Sequence, residues 1–388
     1  MFGWVERPWV GQHMNQKRTV AILFGGRSAE HEVSLLSARA IIKALDRSRF
    51  EPVLIGIDKE GRFQLQDEAQ LTETAKDLRH LSLGASLGEV ALSPVPDHQP
   101  LLAKGALRAG TTLGPIDVVF PVLHGTYGED GTMQGLLELA GLPYVGAGVL
   151  GSSVGMDKDA TKRILKASGL PISDFVTLRY HDFCKNPAQV VEAASGLGFP
   201  CFVKPANAGS SVGVTKVKTK EDLAAALSHA FTFDNKVLCE QAINAREIEV
   251  AVLGNDEPIA SIPGEIVVTH KDGFYSYDAK YVDADGSHPE IPANLSPEKL
   301  KELQALAVKT FLALDCAGMA RIDFFIDRDT GALYINEINT IPGFTAISMY
   351  PKMWEASGLG FQALISRLLD LAVERYESRK RLKTSVVG

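Results

Sequence analysis

Two apolar, β-favouring runs, residues 320–326 and 332–338, flank the turn-rich segment Asp327-Arg328-Asp329-Thr330-Gly331 and predict a β-hairpin. With the turn centred on Thr330, residues symmetric about it face each other, so Asp323 lies opposite Glu337 and Arg321 opposite Asn339. Side chains alternate faces along a strand, which puts all four on one face, with directly opposed Cβ atoms roughly 4.5–5.5 Å apart. A bulge in the turn would slip the register by one residue and send Asp323 to the other face.

Upstream, residues 19–24 read as a buried strand, followed by Gly25-Gly26 and a helix of about fifteen residues with Ser28 as N-cap and Glu30 in its first turn. Residues 51–57 complete a βαβ unit, while 59–114 show mixed polarity with no sustained period and read as an insertion. A strand at 116–123 leads through a glycine-rich loop from His124 into a helix at 132–140, stopped by Gly141. The glycine-rich stretch 142–151 marks a domain boundary, and Asp157 caps a helix that runs to Ser168. Strands at 174–178, 201–204, 212–217, 236–241 and 248–253 alternate with helices at 187–195 and 221–230. A polar, aromatic loop at 270–286 is long enough to be a functional lid or a disordered segment. Helices at 296–314 and 360–380 follow, the second amphipathic.

Composition narrows the class. The 388 residues, 45% apolar and 22% charged, provide for two or three domains with a sizeable core. A net charge of −7 argues against general nucleic-acid binding. No run approaches the roughly 20 apolar residues of a bilayer span, so no membrane partner is expected. Cys184, Cys201, Cys239 and Cys316 are far apart in sequence, which disfavours a disulfide framework or metal cluster and makes reduced thiols in a cytoplasm the default. Residues 1–18 lack a signal-peptide h-region and are expected to form a disordered tail.

Candidate chemistry has a bland reading beside each sharp one. The two carboxylates, amide and guanidinium of the hairpin suit Mg²⁺, which takes few protein oxygens and shares its remaining positions with water and phosphate; the alternative is a solvated sheet face. Glu30 either compensates a helix dipole or faces a cleft at the end of a parallel strand. His124 either contacts a ligand or is structural. Lys158, a cation at a helix start, either meets an anion or is solvated. The loop after Lys204, with Ser210 and Ser211, either cradles phosphates or is a flexible hairpin; it lacks the Walker pattern.

The segments GGRSAEHEVSL (25–35), HGTYGEDGTMQG (124–135), MDKDATKR (156–163), FVKPANAGSSVGV (202–214), YDAKYVD (277–283) and ARIDFF…INEINTIPGFTAISMYP (320–351) together resemble the bacterial D-alanine–D-alanine ligases, in their longer A-type form. The resemblance runs in order from Thr19 to the C-terminal helix. It implies a mixed α/β and α+β, three-domain ATP-grasp fold: an N-terminal parallel-sheet domain at 19–146, a central subdomain at 147–240, and a C-terminal domain at 241–388 with the metal site and the lid. It implies a cytoplasmic, homodimeric enzyme that uses ATP and two Mg²⁺ ions, with Mn²⁺ as a substitute, to join two D-alanines for peptidoglycan synthesis.

The resemblance also assigns roles. Asp323, Glu337 and Asn339 hold the metal; Lys158, Lys204, Ser210 and Ser211 meet the phosphates. Glu240, Glu247, Phe274 and Phe325 match nucleotide contacts, and Lys280 reaches the γ-phosphate when the lid closes. Glu30, Val33, His124, Ser348 and Met349 match the substrate pocket, with Glu30 on the first ammonium and Ser348 on the second carboxylate. Tyr281 joins Glu30 and Ser210 in a network, and Arg321 with the Gly343 N–H forms an oxyanion site. A D-alanine–D-lactate ligase is the nearest rival, disfavoured by the Lys280-Tyr281 pair. Another ATP-grasp carboxylate–amine ligase would leave Glu30 and Ser348 without a purpose. A catalytically silent nucleotide-binding regulator should have lost Arg321 or a metal ligand.

Overall fold

The computed structural model describes residues 17–73, 81–96, 99–268, 287–345 and 347–383. They form three sheets. Strand β1 (Arg18–Gly25) is followed by the helix His31–Ala44 and by β2 (Phe50–Ile57), β3 (Phe63–Leu65), the helix Glu68–Glu73, β4 (Gly88–Leu92), β5 (Leu101–Ala103) and β6 (Val118–Val122). The order in this first sheet is β5-β4-β3-β2-β1-β6, with β1 parallel to β2 and β6, and β3, β4 and β5 added antiparallel. The stretch expected to be a patternless insertion therefore widens the sheet. Its strands are three to five residues long, too short to display a period.

After the helices Thr132–Leu139, Val149–Met156 and Lys158–Ala167, strand β7 (Phe175–Arg179) opens the second sheet. The helices Tyr180–Lys185 and Pro187–Ser195 lead to β8 (Cys201–Pro205) and β9 (Thr215–Val217), and the helix Lys220–Ala230 leads to β10 (Lys236–Gln241). The order is β7-β10-β8-β9, all antiparallel. Asp157 accepts from Ala160 N at the cap expected of it, and Gly169 ends that helix with φ +69°.

The third sheet contains β11 (Ala245–Gly254), β12 (Ile259–Ala260), β13 (Gly264–Val268), β14 (Ser287–Glu290), β15 (Gly318–Asp327) and β16 (Leu333–Asn339), in the order β14-β13-β11-β15-β16 with β12 beside β11. The helix Pro297–Ala313 covers one side, starting at a Ser296 cap and Pro297 as expected. Helices Met349–Ala356 and Phe361–Lys380 close the chain.

Hydrophobic burial joins the first and third sheets. Val20, Ile22 and Phe24 of β1 belong to one continuous core with Ala251, Met319, Phe344, Trp354 and Leu368. The other face of the third sheet packs Ile248, Val250, Ile322, Phe324 and Ile335 against Leu303 and Phe311 of the Pro297–Ala313 helix. The second sheet has a core of its own, with Val203, Val237, Cys201 and Cys239 against Leu223 and Leu227. Cys201 and Cys239 are free thiols with sulfurs 3.4 Å apart, and all four cysteines are free. Among the described residues no single helix is long and apolar enough to cross a membrane.

Candidate active site

The hairpin behaves as its sequence predicts near the site and differently near the turn. Arg321 pairs with Asn339 and Asp323 with Glu337, yet Phe324 pairs with Ile335, Phe325 with Tyr334 and Ile326 with Leu333. The turn is thus centred between Asp329 and Thr330, and a bulge at Asn336 restores the expected register beyond it. The bulge also places Asn336 and Glu337, neighbours in sequence, both on the partly exposed side of β16, while Leu333, Ile335 and Ile338 are buried. Arg321, Asp323 and Phe325 occupy the matching side of β15.

Arg321 grips Asp323 with two hydrogen bonds of 2.7 Å, from Nε to Oδ1 and from Nη2 to Oδ2. Glu249, opposite Asp323 on β11, lies 3.0 Å from Arg321 Nε. Burial alone would lower the guanidinium pKa, but Asp323 and Glu249 more than reverse that and raise it well above its ordinary value. Asn339 donates from Nδ2 to Asp323 Oδ2 at 3.1 Å. Among the described residues no group of three or more His, Cys, Asp or Glu is arranged so that it could hold a metal ion by itself. The donors offered are instead two opposed carboxylates and one amide oxygen, a sparse hard-oxygen set that fits Mg²⁺ shared with phosphate and water.

The second sheet delivers its cations to the same place. Lys204 on β8 donates to Glu240 Oε2 at 3.0 Å and reaches Asn336 Oδ1 at 3.5 Å, bridging the second and third sheets. Lys162, on the helix Lys158–Ala167, lies 3.3 Å from the same Glu240 oxygen and donates to Ser173 Oγ at 3.0 Å. Lys162 and Glu240 are 1% and 2% exposed, so the charges are compensated almost without water. Burial pushes the Glu240 carboxyl up, but Lys162 and Lys204 outweigh it and hold it at about 2. Burial lowers Lys162, whereas Glu240 and Glu337 offset burial at Lys204 and raise it. Glu240 Oε1 is buried with no hydrogen-bond partner among the described residues. Glu247 and Phe325, expected nucleotide contacts, face each other directly across β11 and β15.

Lys158 donates from Nζ to Ala208 O at 2.7 Å, and its backbone N–H to Ala206 O at 3.1 Å, so it braces the small-residue loop. Ser210 and Ser211 adopt left-handed φ of 50° and 60°. The Ser210 hydroxyl donates to Glu30 Oε1, joining the loop to the first sheet. Glu30 is wedged between two glycines: a Cβ on Gly209 would lie 2.5 Å from its Oε2, and one on Gly125 2.8 Å. Ser28 is not the N-cap. Its hydroxyl donates to His124 O and accepts from Glu30 N, which moves the cap to Glu30 itself. Val33 is half-buried one turn further along.

His124 is buried, with Nδ1 3.0 Å from Ile341 O and Nε2 3.1 Å from Ser37 Oγ. Both ring nitrogens thus meet protein partners. Gly343 is partly exposed, and a Cβ there would lie 2.9 Å from Ser348 Oγ. Ser348 Oγ accepts from Thr345 N at 3.0 Å, and Ser348 is the N-cap of the helix Met349–Ala356. Met349 buries its side chain in the shared core, leaving only its backbone N–H at that helix start for a ligand. Phe274, Lys280 and Tyr281, with the rest of the expected lid, lie outside the described residues.

Sequence reasoning missed Glu249, Asn336, Lys162, Ser37 and Glu129. A signal for Asn336 existed: in Leu333–Asn339 two polar residues adjoin where alternation allows one, which is the mark of a bulge. Glu249 shares a strand face with Glu247 two residues before it.

The family described as D-ala D-ala ligase N-terminus matches residues 19–147, and D-ala D-ala ligase C-terminus matches 164–370. The chain is 50% identical over 372 residues to D-alanine--D-alanine ligase A of Escherichia coli (strain K12), covering 96% of this chain and 100% of that one. It is 48% identical over 370 residues to D-alanine--D-alanine ligase of Shouchella clausii, covering 95% and 98%. The solved D-alanine-D-alanine ligase from Coxiella burnetii superposes with a TM-score of 0.79 at 37% identity, covering 94% of this chain and 96% of that one. The VanG D-Ala:D-Ser ligase from Enterococcus faecalis also superposes at 0.79, with 36% identity, covering 92% and 100%.

Proposed function

The chain belongs to the D-alanine–D-alanine ligase family, and from that premise we propose how its residues join two D-alanines at the expense of ATP, for peptidoglycan precursor synthesis. The observation that carries the reading is the convergence of three sheets: Glu30 meets Ser210, Lys204 reaches Asn336, and Arg321 shares a strand face with Asp323, Glu337 and Asn339.

A free carboxylate is a poor acyl donor, so the γ-phosphoryl of ATP is first transferred to the first D-alanine, giving an acylphosphate and ADP. Glu240 and Glu247 receive the nucleoside, with the vacant Glu240 Oε1 accepting a donor from it. Lys158, Lys204 and the Ser210-Ser211 loop hold the phosphates, and Glu30 takes the first ammonium. Asp323, Glu337 and Asn339 would hold two Mg²⁺ ions, which supply charge neutralisation at the transferring phosphoryl oxygens. Ser348 and the Met349 N–H hold the second carboxylate at a helix N-terminus, where the dipole favours an anion. The second amine, once deprotonated, attacks the acyl carbon; Arg321 and the Gly343 N–H stabilise the tetrahedral oxyanion, and inorganic phosphate leaves.

Phe274, Lys280 and Tyr281, outside the described residues, would supply the lid that the resemblance implies, which protects the acylphosphate from water. Domains at 19–146, 147–240 and 241–388, a homodimer and a cytoplasmic location complete the reading, supported by the A-type resemblance. The test is ADP release with Mg²⁺, ATP and a panel of D-alanine, L-alanine, D-alanine plus D-serine and D-alanine plus D-lactate. D-alanine alone should release ADP and yield dipeptide; release only with a mixed pair would overturn the assignment.

A further inference from the structure

The loop 340–344 emerges from β16 in the third sheet, but residues near the first sheet hold its backbone. Ile341 is gripped twice. Its N–H donates to Glu129 Oε1 at 2.9 Å, and its carbonyl lies 3.0 Å from His124 Nδ1. Phe344 N–H, immediately after Gly343, donates to Ser37 Oγ at 3.2 Å, and Ser37 Oγ lies 3.1 Å from His124 Nε2. Glu129 spends its other oxygen on Gly125 N–H at 2.7 Å, which fixes the loop that presents His124. Ser37, His124, Ile341 and Phe344 are all buried, so water does not complete these bonds.

The donors and acceptors admit one arrangement. A carbonyl only accepts, so Nδ1 carries a proton toward Ile341. Burial lowers the His124 pKa against the opposing pull of Glu30, so the ring is neutral and Nε2 is an acceptor. The single Ser37 hydroxyl proton therefore goes to Nε2, leaving the Ser37 oxygen to accept from Phe344 N–H. Polar direction thus runs without a break from Phe344 through Ser37 and His124 to Ile341, and it closes around Gly343.

We infer that Ser37, His124 and Glu129 are positioning residues: together they clamp loop 340–344 and aim the Gly343 N–H at the oxyanion of the ligation step. None of the three needs to touch substrate for this. The inference rests on the proposed ligase chemistry, because the oxyanion role of Gly343 belongs to that reading. A loosened clamp leaves phosphoryl transfer intact and weakens the attack of the amine. A residue that merely supports folding would depress both.

The experiment uses the full chain with Mg²⁺, ATP and D-alanine, comparing wild type with Ser37→Ala and Glu129→Gln. Ser37→Ala strips Phe344 N–H and His124 Nε2 of their shared partner. Glu129→Gln turns an amide NH₂ toward one of two backbone donors. Dipeptide turnover should fall about 10²-fold, the usual cost of an oxyanion donor, with the KM for ATP unchanged. Positional isotope exchange in β,γ-bridge-labelled ATP, which reports reversible acylphosphate formation, should persist. Exchange and turnover falling together in either folded variant, or turnover unchanged in both, would overturn the clamp. A long-range ¹H–¹⁵N spectrum of the wild type should show His124 as the neutral Nδ1–H tautomer; an Nε2–H form or an imidazolium at neutral pH would also overturn it. A wild type that releases no ADP with D-alanine would instead overturn the ligase reading, and the tautomer measurement would still decide the hydrogen-bond chain.

Discussion

Replacing Glu240 by Gln should destabilise the second sheet far more than a surface exchange would. The substitution keeps the shape but removes the charge shared by Lys162 and Lys204, stranding the Lys162 ammonium, which is only 1% exposed. The Glu240 carboxyl is held at about 2 against an ordinary 4.5, and at about 1.36 kcal/mol per pKa unit that difference corresponds to about 3 kcal/mol. Breaking a buried ion pair by removing one partner typically costs about 3–5 kcal/mol, so the two routes agree. Because the folded-state pKa is depressed, this contribution is complete above the unfolded value and disappears as pH falls through the folded one. The gap between wild type and variant should therefore be full at pH 6 and narrow below about pH 4.5. Urea unfolding at pH 6 and at about pH 3, between the two pKa values, with hydrogen exchange on β8 and β10 as a local readout, measures it. The double variant Lys162→Met/Glu240→Gln should recover most of the loss, since it removes the stranded charge. A stable Glu240→Gln protein, or a double variant no better than the single, would refute the reasoning.

Arg321→Ala should abolish dipeptide turnover while ATP still binds, as measured by calorimetry; ordinary turnover would reject the oxyanion role. Gly209→Ala puts a Cβ 2.5 Å from Glu30 Oε2 and should displace that carboxylate. Misplacing a substrate-positioning group by about 1 Å costs about 10²-fold, so kcat/KM for D-alanine should fall by that order, and an unchanged value would remove Glu30 from the pocket. Chelation with EDTA should silence ADP release and Mg²⁺ or Mn²⁺ restore it; persistence under chelation would disprove the metal role of Asp323, Glu337 and Asn339.

The hairpin shows how a sequence expectation succeeds for an incomplete reason. Symmetry about Thr330 puts Asp323 opposite Glu337, but the turn is shifted by half a residue and the bulge at Asn336 cancels the shift. The crowding of Asn336 and Glu337 in the strand was readable; its compensation of the turn was not. Local signals also located the Asp157 cap and the helix start at Ser296-Pro297, where hydrogen bonds span only three residues. Lys162 was illegible because a lysine on an amphipathic helix looks solvated, and only its long-range approach to Glu240 makes it an interior charge. Glu249 required knowledge that β11 lies beside β15, a pairing of distant segments that no local pattern encodes.

The division of apolar packing has a mechanical consequence. Strand β1 and the C-terminal helices are welded into one continuous interior, whereas the unit β7-β10-β8-β9 keeps a private one. Its joints to the remainder include polar or slender links: Lys204 to Asn336, Ser210 to Glu30, and a single bridge from Ile172 to Ile335. On the proposed reading, in which the nucleotide sits between the second and third sheets, this middle piece is the jaw that can swing at least cost in apolar contact, with the two welded bodies as its anvil.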